Sequence, residues 1–222
     1  MDKKLFMVSL GPGDIELITI KALRALKSCN AILVPTKSSD NSFDRSLTYK
    51  MIQKLQNEFG FQKELIPVYT PMRFQKDDWQ KQVDIITNSI NKYDKVCFVT
   101  LGDSAIYSTV YYLLDIIEQQ HNNLYQNSEV IPGITSFSNA SAIVKKPLCI
   151  GDSGLKIVPL LDKDVKDTTI YMRPKIGMDT STIKEDGQIY TFENLGLKDS
   201  KIYPNKITKT TKYMTLFIDF IK

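Results

Sequence analysis

The chain has 222 residues, 42% of them hydrophobic and 24% charged, which suits one large globular domain or two small ones able to bury an adequate core. Its net charge is +4, from 25 Lys and four Arg. The lysines are spread along predicted helix faces rather than gathered with arginine into a patch, which argues against a nucleic-acid binder and leaves a mild bias toward a polyanionic small molecule.

No apolar run approaches the roughly 18 residues that span a bilayer. The six-residue run Leu5 to Leu10 reads as a first strand, not a signal peptide. Cys29, Cys97 and Cys149 are odd in number and far apart, so neither a disulfide framework nor a zinc site is indicated, and the cytoplasm is the expected location.

Gly11-Pro12-Gly13-Asp14 is the turn that leaves the first strand. It is not a phosphate cradle, because no GxxxxGK[ST] or GxGxxG is present and Pro12 removes a backbone donor. It reads instead as a sharp turn that presents backbone to a ligand. Thr19 is placed to cap a helix through Ile20, Leu23 and Leu26, and Ala31 to Val34 reads as a second strand closed by Pro35.

Lys37 to Arg45 is a polar loop, and Leu47, Met51, Leu55 and Phe59 then recur at helical spacing. Leu65 to Tyr69 is a short strand ended by Thr70-Pro71-Met72. A helix follows from Asp77, with Trp79, Val83, Ile86 and Ile90 on one face.

Val96 to Leu101 reads as a buried strand broken by Gly102-Asp103, after which Ile106, Val110, Leu113, Leu114 and Ile117 give a helical pattern. Spacing alone leaves Asp103 with two readings, a helix cap or a charge at the mouth of a cleft. The alternation of strands and helices argues a parallel sheet with right-handed crossovers.

Gln119 to Gln126 is the most polar interruption and is taken as the domain boundary, giving 1–122 and 123–222. His121, the only histidine, lies there and reads as surface. Glu129 to Ile131 is a strand that enters Pro132-Gly133-Ile134-Thr135-Ser136 and a helix to about Val144. Beyond Pro147 the pattern is strand-rich, at Leu155 to Leu161, Thr168 to Met172, Gln188 to Phe192 and Met214 to Ile221, and a mixed-sheet α+β second half is expected.

With these loops placed, the chain resembles the tetrapyrrole methylases. Leu10-Gly-Pro-Gly-Asp14, Thr100-Leu-Gly-Asp103, Ile131-Pro-Gly-Ile-Thr-Ser136 and Ile170-Tyr-Met172 carry the resemblance, in order along nearly the whole chain. Within that family it looks most like the branch that methylates C20 of precorrin-2 or its cobalt form. Ile106-Tyr-Ser-Thr109, Tyr69-Thr-Pro-Met72 and Glu193-Asn-Leu-Gly-Leu197 point there. One departure is Ser104, which stands where the family usually has proline after Gly-Asp, restoring an N–H and loosening φ.

The resemblance implies an α/β, two-domain tetrapyrrole methylase-like fold and S-adenosyl-L-methionine as methyl donor, with no protein-bound metal. It implies that Pro12, Gly102, Asp103, Ile106, Thr135, Ser136 and Met172 line the donor's pocket. For Met172 taken alone, plain core packing is the simpler reading. Lys37, Arg45 and Arg73 follow candidate strand ends and are expected to receive the carboxylates of a tetrapyrrole, with solvated surface as the plain alternative.

No residue is assigned as general base. A homodimer is expected, with Tyr107, Tyr111 and Tyr112 offering an interface. Three other readings stay open: a tetrapyrrole methylase acting at another ring carbon, a diphthine-synthase-like protein methylase, and a non-catalytic nucleotide- or anion-binding module.

Overall fold

The computed structural model describes residues 3–40, 42–44, 46–71, 73, 75–151, 154–157, 168–172, 174–194, 198–212 and 215–220. It divides into two compact units, Met1–Leu155 and Lys156–Lys222.

The first unit alternates strands and helices. β1 (Lys4–Ser9) leads through a 3-10 turn to α1 (Ile20–Ser28), and β2 (Ala31–Thr36) to α2 (Leu47–Phe59). β3 (Glu64–Tyr69) is followed by α3 (Lys76–Tyr93), and β4 (Lys95–Thr100) by α4 (Val110–Gln120) and the short α5 (Asn122–Gln126). β5 (Ser128–Ile131) and α6 (Ser136–Val144) complete it. The sheet order is β3-β2-β4-β1-β5, and every pairing is parallel.

Local chemistry sets the helix ends. Thr19 Oγ1 accepts the Ala22 N–H at 3.1 Å, and Ser46 Oγ accepts that of Tyr49 at 3.1 Å. Gly60 stops α2 in the left-handed region at φ 62°. A sheet covered on both faces needs strands that are apolar on both, and β4 meets this requirement. Cys97 and Val99 pack into the layer of α1 and α2, whereas Val96 and Phe98 pack into that of α3 and α4.

Pro35 is tolerated inside β2 because the β2–β4 ladder ends at Leu33–Phe98, so Pro35 is registered only against Val68 of the edge strand β3.

Two local expectations differ from the structure. Ile106 lies in a loop, and α4 starts at Val110. The Asp103 carboxylate accepts the Ala105 N–H at 3.0 Å, the Ile106 N–H bonds to the Asp103 carbonyl at 3.2 Å, and Tyr107 has φ 49°. That closes a turn incompatible with helix, so Asp103 caps a turn and not α4. The stretch Gln119 to Gln126, read as a boundary, is the end of α4 followed by α5. β5 beyond it hydrogen-bonds to β1, and this pairing keeps residues 123–155 with the first unit. His121 is exposed.

The second unit holds β6 (Thr169–Met172), β7 (Gln188–Glu193), β8 (Lys201–Tyr203) and β9 (Thr215–Phe220), ordered β6-β9-β7-β8. Its described pairings are all antiparallel, where a mixed sheet was expected. Ile183, Ile189 and Phe217 form its buried core among the described residues. The buried Asp219 carboxylate accepts the backbone N–H groups of Asp186 and Gly187 at 2.5 and 3.0 Å. The strand read over Leu155 to Leu161 falls mostly outside the described residues, as do Leu195 to Leu197, Met214 and Ile221.

Tyr107, Tyr111 and Tyr112 are all exposed, and Tyr112 stacks on Trp79 with ring centroids 4.3 Å apart. No described helix is long and apolar enough to cross a membrane.

Candidate functional site

All five strands of the first unit run parallel, so the loops after them emerge at one edge of the sheet. In open α/β sheets this edge receives ligands. Three of its loops converge on glycine. Gly11, just past β1, and Gly102, just past β4, form an isolated antiparallel bridge. The Gly11 N–H donates to the Gly102 carbonyl at 3.1 Å, and the Gly102 N–H donates back to the Gly11 carbonyl at 2.8 Å. Both residues are left-handed, at φ 78° and 74°, which a side chain would strain.

Gly133, past β5, lies against the same point. A Cβ there would sit 2.6 Å from the Gly102 carbonyl oxygen and 2.7 Å from Ser9 Cβ. At Gly13 and Gly102, by contrast, a Cβ would meet nothing within 4 Å. The loops are thus closed against one another and open on one side, where backbone is accessible to a ligand. This fits a cofactor held by main-chain contacts.

The residues singled out in the sequence distribute as follows. Pro12, Gly102, Asp103, Ile106, Thr135 and Ser136 are on these three loops or at the start of α6, and all belong to the first unit. Pro12, Asp103 and Ile106 are half-buried. Thr135 Oγ1 accepts the Ser138 N–H at 3.3 Å and so caps α6, whose first-turn N–H groups favour an anion. Partial desolvation of the half-exposed Tyr111 ring, and next the negative charge of Asp103, raise its phenol above its ordinary range. Met172 is the last residue of β6, paired with Leu216, and belongs to the second unit.

Of the expected cations, Lys37 is exposed just past β2, and Arg45 lies outside the described residues, as does Met72 of the loop after β3. Arg73 is engaged within the chain. Its Nε donates to Asp78 Oδ2 at 2.6 Å, and a terminal nitrogen donates to Oδ1 at 3.0 Å. This two-point contact holds the Asp78 carboxyl below the usual carboxylate range.

A carboxylate with a lowered folded-state pKa favours folding above its unfolded value, and that contribution is lost as pH falls through the folded value. The stability difference between the unaltered protein and Asp78→Asn should therefore be constant above about pH 5 and shrink below about pH 4. Thermal midpoints measured from pH 2 to 7 check this, and a difference that does not depend on pH would rule it out.

Sequence reasoning missed Ser9 and the closeness of Gly133 to it. The available signal was a hydroxyl within the apolar run Leu5 to Leu10, which ends at a glycine turn.

The chain matches the family Tetrapyrrole (Corrin/Porphyrin) Methylases over residues 4–210. It is 28% identical over 213 residues to a probable cobalt-precorrin-2 C(20)-methyltransferase of Methanocaldococcus jannaschii, covering 92% of this chain and 88% of that protein. It is 29% identical over 162 residues to a cobalt-precorrin-2 C(20)-methyltransferase of Salmonella typhimurium, covering 71% of this chain and 64% of that protein. Its fold is similar to that of uroporphyrin-III C-methyl transferase from Thermus thermophilus, solved as a complex with S-adenyl homocysteine. The TM-score there is 0.51 at 14% identity, over 97% of this chain and 96% of that one. With a family match that runs through both units, this chain belongs to the tetrapyrrole methylases.

Proposed function

We propose that the protein is an S-adenosyl-L-methionine-dependent methyltransferase acting on C20 of precorrin-2 or cobalt-precorrin-2, in corrin synthesis. The observation that carries the reading is the junction of Gly11, Gly102 and Gly133, which leaves loop backbone open on one side at the carboxyl edge of the sheet. The C20 assignment is supported by likeness to the M. jannaschii protein over 92% of the chain.

When bound, the donor would supply its sulfonium methyl to a nucleophilic ring carbon, the S–CH3 bond breaking as the C–CH3 bond forms, with a thioether and the ring carbon's proton as the groups released. The protein's part is alignment, and orientation of this kind is worth about 7–11 kcal/mol of a barrier. Gly102 lets the donor approach main chain. Asp103 uses Oδ1 to hold its own turn, which leaves the second carboxylate oxygen and the negative charge for a cationic ligand. The N-terminus of α6, opened by Thr135 and Ser136, suits the donor's carboxylate. Met172, of the second unit, is assigned to the donor by the family resemblance alone.

Lys37, Arg45 and Arg73 are assigned to the substrate's carboxylates. For Arg73, Asp78 takes two of the five guanidinium donors and orients the fork while the rest stay available.

Asp103→Ala should weaken S-adenosylhomocysteine binding by about 10- to 100-fold, the loss of a hydrogen bond to a charged group. Asp103→Asn, which retains an oxygen for the Ala105 N–H, separates loss of charge from loss of the turn. Titration calorimetry giving equal affinities for all three proteins would remove Asp103 from the site. Incubation with labelled S-adenosylmethionine and precorrin-2, with and without cobalt, then tests the reaction. Label on C20 by NMR supports the reading, and label on protein would favour a diphthine-synthase-like enzyme instead.

A further inference from the structure

Ser9, the last residue of β1, and Ser104, two residues past Gly102, are 95 positions apart and both fully buried. The Ser104 N–H donates to Ser9 Oγ at 2.9 Å. Ser104 is the first residue after Gly102-Asp103, so this bond ties the Asp103 turn to the end of β1. The glycine bridge ties the other side of the same loop, through Gly102 and Gly11. Asp103 is thus held between two anchors on β1 and its turn.

Ser9 also faces the third loop, since a Cβ on Gly133 would lie 2.7 Å from its own Cβ. One small hydroxyl residue therefore touches both of the loops that lie beside the glycine turn of β1. Glycine at position 9 would lose the acceptor, and a larger residue would press on Gly133. The buried Ser104 Oγ has no hydrogen-bond partner among the described residues, so the tie runs through the Ser104 backbone and not its side chain.

We propose that Ser9 is a positioning residue for the methyl donor: its Oγ clamps the Ser104 N–H and so fixes the Gly102–Asp103 turn in its donor-binding shape. This rests on the methyltransferase reading above. An unclamped turn leaves a buried N–H without an acceptor, and the turn relaxes to satisfy it. The relaxation moves Asp103 and costs donor affinity, while the loops after β2 and β3 are untouched.

The experiment is a double-mutant cycle of Ser9→Ala with Ser104→Pro, since proline has no N–H to clamp. S-adenosylhomocysteine binding is read by calorimetry, and Michaelis constants for donor and tetrapyrrole are read separately. Ser9→Ala should weaken S-adenosylhomocysteine binding about 10-fold in the unaltered background and by less than about 2-fold when residue 104 is proline. The Michaelis constant for the tetrapyrrole should not move. Amide exchange reads the same bond without the proline variant, and Ser9→Ala should speed exchange at Ser104 by about 10-fold or more.

An equal loss from Ser9→Ala in both backgrounds, or no loss in either, overturns the proposal. So does unchanged exchange at Ser104. Failure of the unaltered protein to bind S-adenosylhomocysteine overturns the methyltransferase reading itself, and the proposal with it.

Discussion

Gly133→Ala is expected to lower S-adenosylhomocysteine affinity by at least about tenfold and to cost about 1–3 kcal/mol of stability. The added methyl would lie 2.6 Å from a backbone oxygen, that of Gly102, and 2.7 Å from Ser9 Cβ. Neither neighbour is the free end of a flexible side chain, so the strain is relieved only by moving a loop. The loop that moves is the one carrying Gly102 and Asp103, or the one leading into α6, and both are assigned to the donor.

Gly154→Ala serves as the control. A Cβ there meets nothing within 4 Å, and the residue is not left-handed. It should stay within about 0.5 kcal/mol of the unaltered protein. Urea denaturation and calorimetry on both variants read the two effects. A Gly133→Ala protein that matches Gly154→Ala in stability and affinity would show that the three loops do not meet as described.

The second large effect is expected from Phe217→Ala. Phe217 lies in β9, which pairs with both β6 and β7, so its ring sits under the centre of its sheet. It packs with Ile183 and Ile189, and with the half-buried Tyr171, Met178 and Ile207. Removing a buried phenylalanine ring costs about 3–5 kcal/mol, and here Ile183 and Ile189 are the other buried core side chains among the described residues that must absorb the loss.

The first unit has two core layers of its own, one on each face of its sheet. The expected result is selective. Amides of β6, β7 and β9 exchange rapidly in Phe217→Ala, while those of β1 and β4 keep their protection. A variant that loses protection in both units together would show that the second unit cannot unfold alone.

Much of the first unit is legible along the chain because its signals are local. Thr19 at the start of a 3.6-residue apolar pattern marks α1, and the structure finds its hydroxyl on the Ala22 N–H. Leu47, Met51, Leu55 and Phe59 mark α2, which runs from Leu47 to Phe59. Alternating strands and helices imply parallel pairing, which all the described pairs of that sheet show. The glycine turns after β1, β4 and β5 are visible as breaks in apolar runs, and with them the family.

Other features depend on residues far apart in the chain. The apolar spacing from Ile106 onward extends the helix too early, because periodicity does not register the carboxylate of Asp103 closing its own turn. Polar composition makes Gln119 to Gln126 look like a linker, although β5 beyond it completes the first sheet. Arg73 reads as a free cation until Asp78, one turn into a helix, is seen to hold its fork.

The amino-acid sequence by itself determined most of the strands and helices of the first unit, the glycine turns and the family, since each follows from propensity, period or motif within a few residues. Only the tertiary structure decided that Gly11, Gly102 and Gly133 meet, and that Ser9 accepts the Ser104 N–H across 95 positions. Those contacts are set by strand order and register in the sheet, which bring distant segments together without leaving a periodic trace in either one.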